Sequence, residues 1–294
     1  MPDPVEGGLV VVDKPAGWTS HDVVARVRRL AGTRRVGHAG TLDPMATGVL
    51  VLGVGRATRL LGYLTAHDKA YDATIRLGQS TVTDDAEGQL VGGRSASRVD
   101  DAAVRTAVHA LVGDIEQVPS AVSAVKVDGR RSYARVRSGE QVELSARRIR
   151  IDQFDVRESR RPDPDLIDLD VTVVCSSGTY VRALARDLGT ALGVGGHLTA
   201  LRRTRSGSID LSAARTLDQL AESFSVVPLA DAVRAVFPLR VVRGDEATAV
   251  RHGRPLPLLD EHGPTGVFAA DGTVLALMEP RGDQLRVAVG FIGS

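Results

Sequence analysis

The segment GHAGTLDPMATG, residues 37–48, surrounds a single carboxylate, Asp43, with three glycines and a proline. So many turn-forming residues argue against a regular helix or strand and predict a loop. The loop leads directly into VLVLGVG, residues 49–55, whose aliphatic and β-branched residues predict a buried strand. A lone aspartate in a turn-rich loop is most often an Asx-turn residue, so the residue type alone does not make Asp43 catalytic.

Periodic segments lie on both sides of this loop. Residues 9–12 predict a buried strand, and Thr19, Ser20 or Asp22 is expected to cap a helix that ends at Gly32. The strands predicted after the loop are at residues 71–78, 165–178 and 198–212, and the helices are at residues 100–113, 179–193 and 216–224. Such interleaving predicts a main domain of the mixed α/β or α+β class.

The sequence pattern changes after Pro238. Short strands alternate there with glycine and proline turns, as in LRVV, GVFAADGTVLALME and QLRVAVGF. A stretch of about 55 residues with this pattern predicts a small, barrel-like all-β unit that follows the main domain.

The composition is that of an ordinary globular protein, since 43% of the 294 residues are hydrophobic and 25% are charged. The single Cys175 excludes an intramolecular disulfide framework and a cysteine-rich zinc site. The N-terminus lacks the features of a signal peptide, and no stretch reaches the roughly 18 apolar residues of a membrane span. We therefore expect a soluble protein of the cytoplasm.

The formal net charge of +1 conceals an uneven distribution of charge. Residues 23–42, 126–150 and 188–209 are poor in acids, whereas residues 84–116 are rich in them. The arginines of the first block are Arg26, Arg28, Arg29, Arg34 and Arg35, and those of the third are Arg202, Arg203 and Arg205. Ordinary ion pairing on a solvated face explains any one block, and genome composition alone also explains the preference for arginine. Three such blocks together favour an anionic polymer as partner.

Five separated segments resemble, in the same order, the motifs of the bacterial tRNA pseudouridine-55 synthases. They are GHAGTLDPMATG itself, DKPAGWTSHDVV (13–24), KAYDATIRLGQSTVTDDAEG (69–88), SAVKVDGRRSYARVRSGE (123–140) and CSSGTYVRALARDLGTALGVGGHLTALRRTRSG (175–207). Two places depart from the family pattern. VPSAVSAVK, residues 118–126, is looser than the family's proline- and tyrosine-bearing version, and Ser177 stands where members commonly carry lysine.

The resemblance implies the pseudouridine synthase fold. This fold is an α+β domain with a mixed, mainly antiparallel central sheet flanked by helices, and a small PUA-like β domain follows it. The catalytic domain would then occupy residues 1–235 and the PUA-like, RNA-binding domain residues 236–294. The implied activity is that of an isomerase, which detaches uracil from its ribose, turns it and rejoins it through carbon. No cofactor and no metal ion are implied.

Five residues match positions of the family's active site. Asp43 matches the essential aspartate, and Arg182 matches the arginine that pairs with it. Tyr71 matches the tyrosine that stacks on the target uracil, and Tyr180 and Leu201 match residues that line the pocket. An aspartate in water is ionised at neutral pH and needs no base to act as a nucleophile. A neighbouring arginine keeps such a carboxylate ionised and oriented.

The same resemblance implies tRNA as the partner, bound through its T-arm. His38 matches a histidine that enters the T-loop as a wedge, and Lys14 matches a lysine held near the active site. The basic segment at about residues 124–151 resembles a clamp on the T-arm. Its expected RNA contacts are Arg130, Arg131, Arg147 and Arg148. Neither a membrane nor a protein partner is implied, and we expect a monomer.

Three alternatives stay open at this point. The first is an RNA-binding chaperone that folds tRNA and whose catalysis is secondary. The second is a guide-dependent pseudouridine synthase of the same fold, which works only with partner proteins. The third, a glycosidase-like hydrolase, is the least favoured. Glycosidases use two carboxylates that flank the bond, and the sequence around Asp43 and Leu201 is poor in acids.

Overall fold

The computed structural model describes residues 7–120, 126–127, 130–131 and 144–291. The strands in these ranges are β1 (Gly8–Lys14), β2 (Val36–His38), β3 (Thr47–Val54), β4 (Lys69–Leu77), β5 (Ser80–Thr81), β6 (Leu90–Gly92), β7 (Gly113–Gln117), β8 (Lys126–Val127), β9 (Arg130–Arg131), β10 (Arg147–Asp163), β11 (Leu166–Cys175), β12 (Gly196–Ser206), β13 (Ile209–Asp210), β14 (Val227–Pro228), β15 (Leu239–Val242), β16 (Leu256–Pro257), β17 (Thr265–Ala269), β18 (Val274–Arg281) and β19 (Gln284–Gly290). The α-helices are α1 (Ser20–Ala31), α2 (Leu61–Ala66), α3 (Asp101–His109), α4 (Val181–Ala191), α5 (Leu217–Glu222), α6 (Leu229–Val236) and α7 (Gly244–Arg251). None of these described helices is long and apolar enough to cross a membrane.

One large sheet forms the body of the protein. Its strand order is β14-β1-β3-β12-β4-β11-β10-β7, with β2 paired to β3 and β13 paired to β12. Within the described residues its neighbouring strands run antiparallel except β3 and β12, which are parallel over the pairs Arg202–Thr47 and Arg203–Gly48. We call this short parallel pairing of β3 with β12 the seam. It joins the half of the sheet that contains β14, β1 and β3 to the half that begins at β12. The predicted α+β domain with a mixed, mainly antiparallel sheet is confirmed.

Helix α1 shows how the local sequence sets the ends of an element. Of the three predicted caps, Thr19 is the N-cap: its Oγ1 accepts a hydrogen bond from Asp22 N at 3.1 Å, and the Asp22 carboxylate accepts one from Thr19 N at 2.9 Å. This reciprocal pair satisfies two backbone donors at the start of the helix. Gly32 ends the helix with a φ of 63°, as predicted.

Three local expectations were wrong, and one strand was missed. The loop predicted at residues 37–48 is shorter, because its first residues belong to β2 and its last to β3. The 17-residue strand β10 was not predicted, since its charged residues hide the apolar alternation. Helix α3 ends at His109, before the predicted Gly113. The C-terminal unit predicted to be all-β also contains α7.

The C-terminal unit is a five-stranded sheet in the order β15-β17-β18-β19-β16. A hydrophobic cluster joins it to the main sheet, because Phe268 and Phe291 share that cluster with Val51 of β3. Arg56 Nη1 also donates a hydrogen bond to the Phe291 carbonyl at 2.8 Å. The two units are therefore connected by a common core. The boundary predicted between residues 235 and 236 falls at the end of α6 and stays a prediction.

Candidate active site

Asp43 lies in the loop between β2 and β3, next to the seam where the two halves of the main sheet meet. Gly48 allows this seam to close, because a Cβ at its position would lie 2.2 Å from the Arg203 carbonyl oxygen. Its φ of +97° is a second reason for glycine. The final glycine of the motif therefore permits the close approach of β12, which carries Leu201 and Arg203.

Two buried side chains of the N-terminal segment hold the Asp43 loop. Lys14 Nζ donates to the carbonyl oxygens of Trp18 at 2.6 Å and Pro44 at 3.2 Å, and burial lowers the pKa of Lys14 to about 8. Ser20 Oγ accepts from Leu42 N at 2.9 Å and donates to the Leu42 carbonyl at 3.1 Å. Lys14 is 0% exposed, so it anchors the loop from inside the protein. A role of Lys14 in substrate binding stays a prediction.

A third buried side chain, Arg203, holds the same loop from the other half of the sheet. Its guanidinium donates to the carbonyl oxygens of Val49 at 2.7 Å, Gly40 at 3.2 Å and Thr41 at 3.4 Å. These bonds satisfy a cation that has almost no contact with water and fix the backbone just before Asp43. The sequence placed Arg203 in a basic block without indicating this role.

The carboxylate of Asp43 is paired with Arg182. Arg182 Nε lies 3.0 Å from Asp43 Oδ2, and Nη2 lies 3.3 Å from Oδ1. A two-point contact fixes the orientation of a carboxylate as well as its position. The Arg182 side chain is 5% exposed and that of Asp43 is 39% exposed. The guanidinium thus supports the carboxylate from the protein interior and leaves part of it accessible.

Arg182 is held from behind by the loop between β5 and β6. Its Nη1 donates to the Thr83 carbonyl at 2.8 Å and lies 3.4 Å from Asp85 Oδ2. Thr83 Oγ1 in turn donates to Asp85 Oδ1 at 2.5 Å. The sequence analysis did not single out Asp85, although the acids of the DDAEG segment were the available signal. Two carboxylates on opposite sides of one guanidinium leave Arg182 little freedom to turn.

A cavity of about 330 Å³ opens at Asp43. The cavity is lined by Asp43, Arg182, Tyr71 of β4, Leu201 of β12, and Tyr180. The five residues that were matched to the active site therefore do come together. Burial raises the pKa of the Tyr71 phenol, which keeps it protonated at neutral pH. Among the described residues, no three His, Cys, Asp or Glu side chains are grouped as metal ligands would be.

Tyr180 occupies the N-cap position of α4, the helix that carries Arg182. Its backbone is fixed by the buried Gln117 at the end of β7: Tyr180 N donates to Gln117 Oε1 at 2.9 Å, and Gln117 Nε2 donates to the Tyr180 carbonyl at 3.1 Å. The amide of Gln117 therefore sets the start of α4. No pattern in the sequence indicated this contact.

Lys69 is a further cation at the cavity that the sequence analysis did not select. It lines the cavity, is buried, and donates through Nζ to the carbonyl oxygens of Thr65 and His67. Burial, with a smaller effect from Arg203, lowers the pKa of Lys69 to about 8. The ammonium joins the end of α2 to the start of β4, two residues before Tyr71.

His38 lies outside the cavity lining. It ends β2, immediately before the Asp43 loop, and pairs in register with Leu52 of β3. Its ring meets that of His21 edge-on, with 5.7 Å between the ring centroids. The structure therefore places His38 beside the loop, on the side where α1 packs.

The basic residues expected to clamp RNA are only partly described. Arg147 and Arg148 begin β10 on the exposed surface beside β7, and Arg148 Nη2 lies 3.7 Å from Asp114 Oδ2. Arg130 and Arg131 form β9, which pairs with β8. The side chains of these two residues, like most of the predicted clamp segment, fall outside the described part of the chain.

Sequence comparison assigns this arrangement to a family. Residues 28–181 match the N-terminal domain of the TruB family pseudouridylate synthases. The chain belongs to the TruB family. Residues 182–236 match the C-terminal domain of tRNA pseudouridylate synthase B, and residues 237–292 match the C-terminal domain of tRNA pseudouridine synthase II. This TruB family member is therefore an isomerase of the tRNA pseudouridine synthase class, as the resemblance predicted.

Relatives of the TruB family match nearly the whole chain. It is 61% identical over 290 residues to tRNA pseudouridine synthase B of Thermobifida fusca (strain YX), a match that covers 98% of this chain and 99% of that protein. It is 57% identical over 297 residues to tRNA pseudouridine synthase B of Arthrobacter sp. (strain FB24), which covers 98% and 97% of the two chains.

Solved structures share the fold. A chain of the H/ACA RNP bound to a substrate RNA containing 2′-deoxyuridine superposes with a TM-score of 0.74 at 24% identity, covering 99% of this chain and 86% of that one. A chain of the archaeal box H/ACA sRNP Nop10–Cbf5 complex gives 0.72 at 24% identity, covering 98% and 87%. At this identity the likeness concerns the fold alone, and it agrees with the predicted pseudouridine synthase fold.

Proposed function

We propose that this TruB family member converts uridine 55 in the T-loop of tRNA to pseudouridine, with Asp43 as the catalytic carboxylate. The proposal rests mainly on one observation: at the cavity, Arg182 contacts both oxygens of the Asp43 carboxylate, which stays partly exposed. A carboxylate held in this way is both oriented and accessible.

The reaction rearranges one nucleotide. The bond from N1 of uracil to C1′ of ribose is broken, a bond from C5 to C1′ is formed, C5 loses its proton and N1 gains one. An ionised aspartate assists such a reaction either as a covalent nucleophile or by stabilising positive charge on the nucleotide. Neither role of Asp43 requires a cofactor.

The cavity walls suit a flipped uracil. Tyr71 offers a ring face for stacking, and Leu201 and Tyr180 offer contacts around the base. Stacking on an aromatic ring contributes about 1–3 kcal/mol per base, which is comparable with the few kcal/mol that base extrusion costs. In this proposal the protonated Tyr71 hydroxyl also takes part in the proton transfer at C5.

The RNA would approach from the surface that carries His38. In this proposal His38 enters the T-loop and fills the space that the flipped nucleotide leaves. The basic segment at about residues 124–151 holds the T-arm, and residues 236–294 form a PUA-like domain that adds affinity. A monomer without a protein partner would be sufficient, because Asp43, Arg182 and the cavity walls all come from one chain.

The decisive experiment compares Asp43→Asn with Asp155→Asn, which removes the same charge from the exposed surface of β10. Purified proteins are incubated with an unmodified tRNA and with an isolated T-arm hairpin, and pseudouridine is mapped by mass spectrometry. We expect Asp43→Asn to form no pseudouridine while its tRNA affinity stays within about twofold, because the amide keeps the shape but loses the charge. Asp155→Asn should behave as wild type.

Each outcome separates one alternative. Turnover by Asp43→Asn would contradict the catalytic role of Asp43. Turnover of the bare hairpin by the wild-type chain would exclude a guide-dependent enzyme. Full rescue of a deletion strain by Asp43→Asn would favour an RNA-folding chaperone whose catalysis is secondary.

A further inference from the structure

The three acid-poor arginine blocks of the sequence differ in how far the fold pairs their arginines with acids. In the third block, Arg202 pairs with Asp13 through two bonds of 3.0 and 2.8 Å, and Arg205 Nη2 lies 2.7 Å from Asp68 Oδ2. Arg203, between them, is the buried anchor of the Asp43 loop. The acids that neutralise this block are distant in sequence and adjacent in space.

The second block is also partly neutralised by acids outside it. Arg148 Nη2 and Arg150 Nη1 lie 3.7 and 3.6 Å from the Asp114 carboxylate, and Arg150 Nε lies 2.7 Å from Asp152 Oδ1. The side chains of residues 126–143 are not described, so this statement concerns the part of the block on β10.

The first block keeps its charge. None of its five arginines forms an ion pair with any residue in the described ranges, and four of them are exposed. Arg28 Nη2 donates to the Val36 carbonyl at 3.1 Å. Asp22, the acid at the start of α1, has its carboxylate engaged by Thr19. We call this set, Arg26, Arg28, Arg29, Arg34 and Arg35, the α1 arginine patch.

Part of the patch lies along β2, on the same side as His38: Arg28 contacts Val36, and Arg34 and Arg35 directly precede the strand. One stripe of α1 faces this strand, because His21 contacts His38 and Arg28, seven residues later, contacts Val36. Seven residues of helix span about 10 Å, and two residues of strand span about 7 Å. The Arg28 guanidinium is therefore within roughly 10 Å of His38, the histidine that precedes the Asp43 loop.

We propose that the α1 arginine patch binds backbone phosphates of the T-arm next to the loop that enters the active site. Five arginines within ten residues, four of them exposed, repel one another unless an anion lies nearby, and the described residues supply no carboxylate that pairs with them. A polymer with a regular row of phosphates meets that need. This assignment rests on the proposed function, since RNA is the substrate there.

The test is a pair of double variants that remove the same charge. Arg29→Ala/Arg34→Ala changes the patch, and Arg98→Ala/Arg105→Ala removes two exposed arginines near α3 that also lack an ion pair to any described residue. Dissociation constants for an isolated T-arm hairpin are measured by fluorescence anisotropy over a range of KCl concentrations. Pseudouridine formation is followed in single turnover at saturating hairpin.

For the patch variant we expect the dissociation constant to rise about tenfold or more. The slope of log Kd against log salt should become flatter by about 1.4–1.8, at roughly 0.7–0.9 for each phosphate that the variant no longer neutralises. The rate at saturating hairpin should stay within about twofold of wild type. Arg29→Lys/Arg34→Lys should restore most of the affinity, because a phosphate accepts either cation.

An affinity and salt slope equal to those of the control variant would overturn the proposal, as would a loss seen with whole tRNA and not with the hairpin. The proposed function is tested separately by the wild-type chain. If the wild type formed no pseudouridine while the patch variant still lost RNA affinity, the proposed function would fail and the RNA surface would stand. If the wild type were active and the patch variant bound normally, only the surface assignment would fail.

Discussion

The arginines of the active site and the arginines of β10 differ in what surrounds them. Arg203 and Arg182 are 1% and 5% exposed and direct their donors at the Asp43 loop, at Asp43 itself and at the loop behind it. The side chain of Arg148 is 79% exposed and lies at the long distance of 3.7 Å from Asp114.

An arginine acts as a structural element where it is buried. A buried guanidinium has no water to replace a missing partner, so each of its hydrogen bonds constrains the backbone or carboxylate that it meets. An exposed guanidinium exchanges its partner for water at little cost, and its ion pairs contribute about 0–1 kcal/mol. The buried arginines therefore define geometry, and the exposed ones stay available to an anionic ligand.

The strongest test of the buried class is Arg182→Lys. A single ammonium cannot contact both oxygens of Asp43 and reach Asp85 as well, so we expect the single-turnover rate of pseudouridine formation to fall about a hundredfold or more. Affinity for tRNA should change less than threefold. A fall in rate of less than tenfold would show that the two-point geometry is not needed.

A second test is Arg203→Met, which leaves the carbonyl groups of Gly40, Thr41 and Val49 without their donor. We expect the free energy of unfolding in urea to fall by about 2–4 kcal/mol, and the turnover rate to fall with it because the Asp43 loop loses an anchor. Arg160→Ala, which breaks an exposed pair with Asp170, should cost less than about 1 kcal/mol. Equal losses in the two variants would remove the distinction between the classes.

A third test uses the other buried anchor, Lys14. Its pKa falls from 10.5 to about 8 on burial, so between pH 8 and 10.5 the unfolded chain binds the proton that the folded chain has released. The free energy of unfolding of wild type should therefore rise with pH in this window relative to Lys14→Met, by up to about 3 kcal/mol. Urea unfolding of both proteins across the window measures the difference. A difference that does not change with pH would contradict a charged, buried Lys14.

The smallest effects are expected for the exposed class. Arg147→Ala/Arg148→Ala should leave the urea midpoint unchanged and weaken tRNA binding a few-fold, with a log–log salt slope flatter by about 0.7–0.9 for each phosphate left without its arginine. An unchanged slope would place the RNA away from the start of β10. A large loss of stability would place these two arginines in the buried class instead.

Much of the fold was predictable because its elements carry clear local signals. The cap at Thr19, the stop at Gly32 and the alternation in β11 are set by neighbouring residues. Strand β10 could not be predicted in this way. Its 17 residues are mostly exposed and charged, and it is held by long-range pairing with β11 and β7 rather than by its own pattern.

Residues of the candidate site could be predicted only where they lie in a motif that resembles the family. Asp43, Tyr71 and Arg182 were selected by resemblance, and the structure brings them to one cavity. Asp85, Lys69 and Gln117 were not selected, because their roles arise from contacts between elements that are distant in sequence. The third acid-poor block suggested free positive charge for the same reason. Its Arg202 is in fact paired with Asp13, 189 positions away in the sequence.

The seam between β3 and β12 also sets when the site can exist during synthesis. Asp43 and Arg182 are 139 positions apart, and the strand that closes the cavity wall follows Arg182. At about 5–20 residues per second, the ribosome releases the carboxylate on the order of ten seconds before its guanidinium. A nascent or truncated chain that stops before β12 carries Asp43 without a formed pocket. Only a chain translated through β12 can therefore present this carboxylate inside a formed pocket.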